Sequence, residues 1–397
     1  TCALPISEEA DSAVNDIVKE KDEMKRLLVM LCVGAMLVTG CGSGGSKTSE
    51  PTEKPSQGNK YVEQDFYSVP DELLDEDEIQ VTDLQTNAEG EPALYQYAVG
   101  SDDEDDTGCS IYEYTLNSAG DWQTKQYGRK ALTKLVKKTM EGSVDSVDLP
   151  YISRGDDGNL YALMQVKLYD ENANPFEKQS GASEYYLLAI DENSNAVQKT
   201  KLQTKVEENG SETDYAKEYD VTEFHVTEDG TPMLVFNSSS AMWFDSVSGT
   251  RTNLCESVSD GAFSKRVGYG ENEIVYYSMS KKKFGVLDSQ TLSRTSEFGD
   301  DISEDNKKYE WYFDSDTTNW QMYAFNLSGL YRFSDFGQKT SATRLSADGN
   351  FDSLADDVIY DVLVGANQEL YLLVRRTNES QIESETTYDS GVIKYVP

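Results

Sequence analysis

From about residue 60 onward, apolar positions fall in short runs separated by turn-forming residues. This is the pattern of brief strands rather than long helices. A compact apolar unit recurs six times: Pro92–Tyr97, Asn159–Leu163, Pro232–Phe236, Glu273–Tyr277, Gln321–Phe325 and Glu369–Leu373. With Leu94, Leu160, Met233, Ile274, Met322 and Leu370 as anchors, the spacings are 66, 73, 41, 48 and 48 residues. Asp, Asn and Gly precede several units, at 88–90, 156–158, 228–230, 270–272 and 365–367, where they would supply the φ > 0 positions of tight hairpins. Extended stretches precede those turns, as at 79–81, 224–226 and 358–360. A third strand follows each unit, as in Trp243–Gly249 and Tyr331–Gly337. A more polar fourth strand closes several, at 122–127, 197–202 and 250–254. The one stretch of helical period is 129–141, with Leu132, Leu135 and Val136 on one face and cations on the other; it predicts a single amphipathic helix inserted in a loop.

Four antiparallel strands repeated at such intervals predict an all-β protein, a β-propeller of about six four-stranded blades, with five or seven as alternatives. One such sheet has two apolar faces and cannot bury them alone, whereas sheets stacked around an axis bury both. The last unit ends at Val392–Val396 one strand short, and Lys60 to Val69 would supply the missing outer strand and latch the ring. Polar stretches at 101–108, 169–184 and 204–219 read as loop insertions. The rival fold, a β-sandwich or two small β domains, calls for a Pro/Gly-rich linker near the middle, and none is found.

The first 60 residues follow other rules. Met24 to Cys41 reads MKRLLVMLCVGAMLVTGC: Lys25 and Arg26 are followed by an apolar stretch too short for the ~20 residues that span a bilayer. Val38-Thr39-Gly40-Cys41 resembles the lipobox of bacterial lipoproteins, an aliphatic residue and two small ones before an obligatory cysteine. The resemblance implies cleavage between Gly40 and Cys41, and a diacylglyceryl group on Cys41 that anchors the protein at the extracytoplasmic face of a bacterial membrane. Two acyl chains suit that role, since one binds membranes only marginally. The expected organisation is 1–23, an upstream extension that fits neither signal nor fold; 24–40, a signal peptide; 41–60, the lipidated cysteine and a Gly/Ser/Pro-rich linker; and 61–397, the propeller. A 19-residue linker reaches roughly 25 Å. The whole resembles the propeller-repeat lipoproteins of bacterial surfaces over about 79–397, without the Gly-His and Trp-Asp pairs of tryptophan-aspartate repeats.

Charge narrows the partners. The chain has 35 basic and 72 acidic residues, net −37, a field that repels nucleic acid and keeps an exposed protein soluble and monomeric. Catalytic signals are sparse. His225 is the sole histidine, in a strand-like stretch where a neighbour would satisfy it. Cys109 and Cys255 fall in units one and three, which are not adjacent in a six-blade ring, and form no metal motif or disulfide. Asp170–Asn174 and Asp191–Asn195 begin like calcium loops but lack the sixth-position Gly and the twelfth-position Glu, so Asx turns are the expected reading and no cofactor is expected, with calcium as the alternative. Ser278-x-x-Lys281 lies on a hairpin tip and not at the start of a helix. Trp311, Tyr312, Trp320 and Arg332 cluster in the fifth unit and are the candidate ligand-binding residues, with packing between sheets as the alternative. The expectation is a lipid-anchored binding protein for a surface protein or glycan; the second hypothesis is a glycan-processing enzyme on the same fold.

Overall fold

The computed structural model describes residues 61–397 except 76–77, 82, 100–107, 142, 156–158, 170–179, 194, 209–210, 227–230, 239, 256–272, 279–280, 289–293, 300–310, 317–320, 327–328, 335–340, 346, 349–356, 366 and 380–385. The signal, Gly40, Cys41 and the linker therefore lie outside the described residues, as do the candidate turns at 156–158, 228–230 and 270–272. From Gln57 to Pro397 the chain is one compact unit.

Six antiparallel sheets follow one another along the chain. Sheet 1 comprises Leu84–Thr86, Pro92–Val99, Cys109–Leu116 and Trp122–Tyr127; sheet 2, Val144–Arg154, Leu160–Tyr169, Ser180–Ile190 and Val197–Lys201. Sheet 3 runs from Val221–Val226 through Pro232–Phe236 and Ala241–Phe244 to Arg251–Cys255. Sheet 4 shows three strands, Glu273–Ser278, Lys283–Asp288 and Arg294–Phe298. Sheet 5 is Tyr312–Asp316, Gln321–Asn326, Gly329–Ser334 and Ser341–Leu345. Sheet 6 takes Val358–Val364, Leu370–Glu379 and Thr386–Val396 from the end of the chain and its fourth strand, Tyr61–Ser68, from the beginning, and a two-residue strand, Ala347–Asp348, pairs parallel to that outer edge. That closing strand pairs antiparallel with the last one, from Val62 opposite Val396 to Ser68 opposite Gly391, as the missing strand predicted.

The second strand of each sheet explains the recurring apolar unit. Leu160–Met164 and Pro232–Phe236 are buried at every position, because a sheet covered on both faces needs apolar side chains in both directions. The outer strands are wetter: Trp122–Tyr127 buries only Tyr127. Packing closes a cycle. Separate buried clusters join sheets 1 and 2 (Ile111 with Leu188), 2 and 3 (Leu187 with Phe236), 3 and 4 (Trp243 with Tyr276), 4 and 5 (Phe284 with Phe313), 5 and 6 (Phe325 with Leu372), and 6 and 1 (Leu373 with Leu94). Six interfaces for six sheets is a ring, the six-bladed propeller. It leaves no place for the sandwich.

Several details depart from the sequence reading. The first strand of sheet 1 is Leu84–Thr86; Glu78–Ile79 instead pairs with Leu74–Asp75 in a small ribbon. At the borders of the predicted insertion 169–184, strand pairing continues, with Ser180 opposite Tyr169 and Ser183 opposite Lys167. In 204–219, Lys205–Glu208 pairs with Ser211–Asp214, and a short helix, Tyr215–Glu218, follows. At the turn after sheet 6's first strand, the positive φ falls on Gln368 at 62°, one residue past the predicted positions. The expected helix spans Arg129–Met140, and its Leu132 and Val136 join the core between sheets 1 and 2.

The first strands of sheets 5 and 6, 6 and 1, 1 and 2, and 2 and 3 touch. Polar side chains tie these four pairs together. The Asp314 carboxylate of sheet 5 accepts the Val364 N–H of sheet 6 at 2.8 Å. The Asp361 carboxylate of sheet 6 accepts the Leu84 N–H of sheet 1 at 2.7 Å. Gln85 of sheet 1 donates to the Ile152 carbonyl of sheet 2 at 2.7 Å and accepts the Arg154 N–H at 3.1 Å. The Tyr151 hydroxyl of sheet 2 donates to the Val221 carbonyl of sheet 3 at 3.1 Å. Asp361→Ala removes the acceptor of a buried N–H, so it should cost about 1–3 kcal/mol in urea unfolding. A loss under about 0.5 kcal/mol would show that water replaces the carboxylate.

Candidate functional site

The aromatic cluster of the fifth sheet does not form one surface. Trp311 is 4% exposed and packs edge-on against Phe284 and Tyr331, at ring separations of 5.5 and 5.6 Å. It belongs to the core between sheets 4 and 5. Its neighbour Tyr312 faces the other way, because side chains alternate along the chain, and packs on the core between sheets 5 and 6. Arg332 is half-buried in the third strand, opposite Tyr323 and Thr343. Trp320 lies outside the described residues. Trp311 and Tyr312 thus fill different interfaces, and stabilise the ring through aromatic packing.

His225 sits on the first strand of sheet 3, buried, with its Nε2 3.0 Å from Glu223 Oε2. The Tyr151 hydroxyl has its pKa pushed up to about 12, by burial first and then by the negative charges of Asp83, Glu223, Tyr185 and Asp220. Among the described residues, no cluster of three or more His, Cys, Asp or Glu side chains is placed to hold a metal ion. Asp191 caps its own turn, accepting the Asn193 N–H at 2.9 Å, as an Asx turn requires; Asp170–Asn174 lies outside the described residues. Ser278 stands at a hairpin tip, where its Oγ accepts the Lys281 N–H at 3.3 Å. Cys109 is a free, buried cysteine in sheet 1, and Cys255 closes sheet 3.

The most elaborate polar constellation is one the sequence does not announce. Arg154, at the end of the first strand of sheet 2, reaches into sheet 1. Its guanidinium pairs with Glu113 at 2.5 Å and with Glu192, and donates to the Tyr95 hydroxyl at 2.9 Å. Tyr95 and Tyr127 in turn donate to Glu113, at 2.9 and 3.2 Å. The side chains of Arg154 and Glu113 are 7% and 5% exposed. Burial alone would lower the Arg154 pKa, but Tyr95 and Glu113 outweigh it and hold the guanidinium charged. Burial raises both phenols, so they remain donors. The guanidinium, Glu113 and the two hydroxyls are joined by hydrogen bonds, with Glu192 beside them, which makes the cluster a clamp between sheets 1 and 2. Register hides it: Glu113 is 41 residues from Arg154, and each looks like an ordinary polar strand position.

No protein-family model and no curated protein matches the sequence. Solved structures do resemble the chain. One chain of a mitotic checkpoint complex has 9% identity and a TM-score of 0.42, over 89% of this chain and 98% of that one. The WD40 β-propeller domain of Doa1 has 10% identity and a TM-score of 0.41, over 85% and 97%. The β-propeller domain of Cps50 (Swd1) from Myceliophteria thermophila has 11% identity and a TM-score of 0.41, over 79% and 95%. The ring itself rests on the strand pairing and the six inter-sheet cores described above.

Proposed function

We propose that the protein is a lipid-anchored, extracytoplasmic interaction protein of a bacterial membrane. In this reading, a diacylglyceryl group on Cys41 and the linker hold the propeller at the membrane, and its partner is a surface protein or glycan. The observation that carries the reading is the order along the chain: the lipobox-like Val38-Thr39-Gly40-Cys41, a Gly/Ser/Pro-rich stretch, and then a strand at Tyr61 that enters sheet 6. Nothing about a propeller requires a basic and apolar leader ending in Gly-Cys. Binding is favoured over catalysis because Asp314 and Asp361, on the first strands of sheets 5 and 6, are engaged by backbone N–H groups of the next sheet.

Cys41→Ser should abolish acylation. In cells fed labelled fatty acid, the parent protein should carry label and partition into the detergent phase, and the variant should be unlabelled and aqueous. An unlabelled parent protein, or a labelled variant, would sink the anchor. A glycan array and cross-linking on intact cells, run beside a hydrolase screen, would then separate binding from catalysis; turnover of an arrayed glycan would overturn the binding reading.

A further inference from the structure

The strand that closes the ring is also the strand into which the linker runs. Tension between Cys41 and the propeller therefore enters the fold at Tyr61. Closure alone needs one edge of that strand, and pairing with Thr386–Val396 supplies it. The entry point is held on both edges. Tyr61 and Val62 pair with Ala347 and Asp348 on one side, and Val62 pairs with Val396 on the other. The Tyr61 side chain is buried in the core between sheets 5 and 6, and its hydroxyl donates to the Gln368 carbonyl at 2.8 Å. Further along, the Arg376 guanidinium lies 5.2 Å from the centre of the Phe66 ring and 3.1 Å from the Glu63 carboxylate. Just past the strand, the Val69 N–H donates to the Ser390 carbonyl at 3.0 Å.

Direction decides what these contacts resist. Tyr61 lies beside Gln368, in the turn between the first two strands of sheet 6. Ser68 lies opposite Gly391, toward the end of the sheet at which Glu379 pairs with Thr386. The closing strand and Thr386–Val396 are antiparallel, so their N-terminal ends point opposite ways. A pull that draws Tyr61 away from the Thr386 end slides the two strands past each other, and every pair of the ladder shares the load. A pull that parts Tyr61 from Val396 opens the pairs one at a time. We infer that the closing strand is a tension anchor, arranged to keep the ring shut when a partner holds the Thr386 end of sheet 6 and the tether pulls at Tyr61. The direction of that pull rests on the lipid-anchored reading; the resistance belongs to the strand itself.

Optical tweezers test this on the full chain, with one handle at the N-terminus and the second either on Tyr388, which is 39% exposed, or on Pro397. With the Tyr388 handle the closing strand should detach at a higher force than with the Pro397 handle. Tyr61→Phe removes the hydroxyl and keeps the ring. With the Tyr388 handle, it should shorten the lifetime of the attached strand under constant force roughly two- to tenfold. Equal forces in the two geometries, or a lower force with the Tyr388 handle, would overturn the inference. So would an unchanged lifetime in Tyr61→Phe, because the entry point would then bear no tension. Failure of the anchor reads out separately, as an unlabelled parent protein in the fatty-acid experiment.

Discussion

A protein lacking residues 60–70 should fail to close its ring, with a melting temperature lower by about 10 °C or more, or with aggregation before any cooperative transition. Three losses add up. Tyr61 and Val69 are 1% and 4% exposed, and burying such side chains is worth about 1.5–3 kcal/mol each. The Tyr61 hydroxyl donates to the Gln368 carbonyl at 2.8 Å, and Glu63 pairs with Arg376 at 3.1 Å and accepts from Tyr395 at 3.2 Å. The strand also holds sheet 1, whose Trp122 indole N–H donates to the Ser68 carbonyl at 2.7 Å. A loss of several kcal/mol is a large part of a typical domain stability of about 5–15 kcal/mol. Deletion also leaves the edge of Thr386–Val396 unpaired, a template for aggregation.

A point substitution should act the same way. Gly391 lies under the closing strand: a Cβ there would fall 2.5 Å from Phe66 Cζ and 2.6 Å from the Tyr67 carbonyl oxygen. That carbonyl is fixed by the ladder, with Tyr67 opposite Val392. Gly391→Val should therefore push the strand off its partner. If both variants melt within about 2 °C of the parent, the closing strand is not the latch.

The latch was legible because an absence was legible: the last repeat ends at Val396 one strand short, and an apolar, β-rich segment waits at the other end. Buried second strands were legible for the same reason, since two-sided burial writes uninterrupted apolar runs such as Met233–Phe236. The hairpin at Lys205–Asp214 was not. Its strands are polar apart from the buried Val206, so the apolar pattern passes over them, although Asn209-Gly210 between them is a hairpin signal that went unread. Nor were Asp314 and Asp361 distinguishable among 72 acidic residues, because their role is set by where the next sheet's N–H groups fall. Grouping Trp311 with Tyr312 by proximity in sequence overlooked the alternation that sends adjacent strand residues into different cores.

The clamp between sheets 1 and 2 gives the second large effect. Arg154→Met should destabilise the protein by about 3–5 kcal/mol, because Glu113 would stay buried with no cation beside it. Tyr95 and Tyr127 would still donate to it, which softens the loss without replacing the charge. Arg154→Met/Glu113→Gln should recover part of the stability, since it removes the more deeply buried carboxylate, while Glu192, 15% exposed, keeps Lys125 at 3.6 Å. Urea unfolding of the three proteins at pH 7 measures both effects. If Arg154→Met costs under about 1 kcal/mol at pH 7, water reaches the cluster and it is not a buried clamp. If the double variant is no more stable than the single one, the stabilisation comes from the arginine's packing and not from charge pairing, because Arg154→Met removes the guanidinium in both while only the double variant removes the charge it leaves behind.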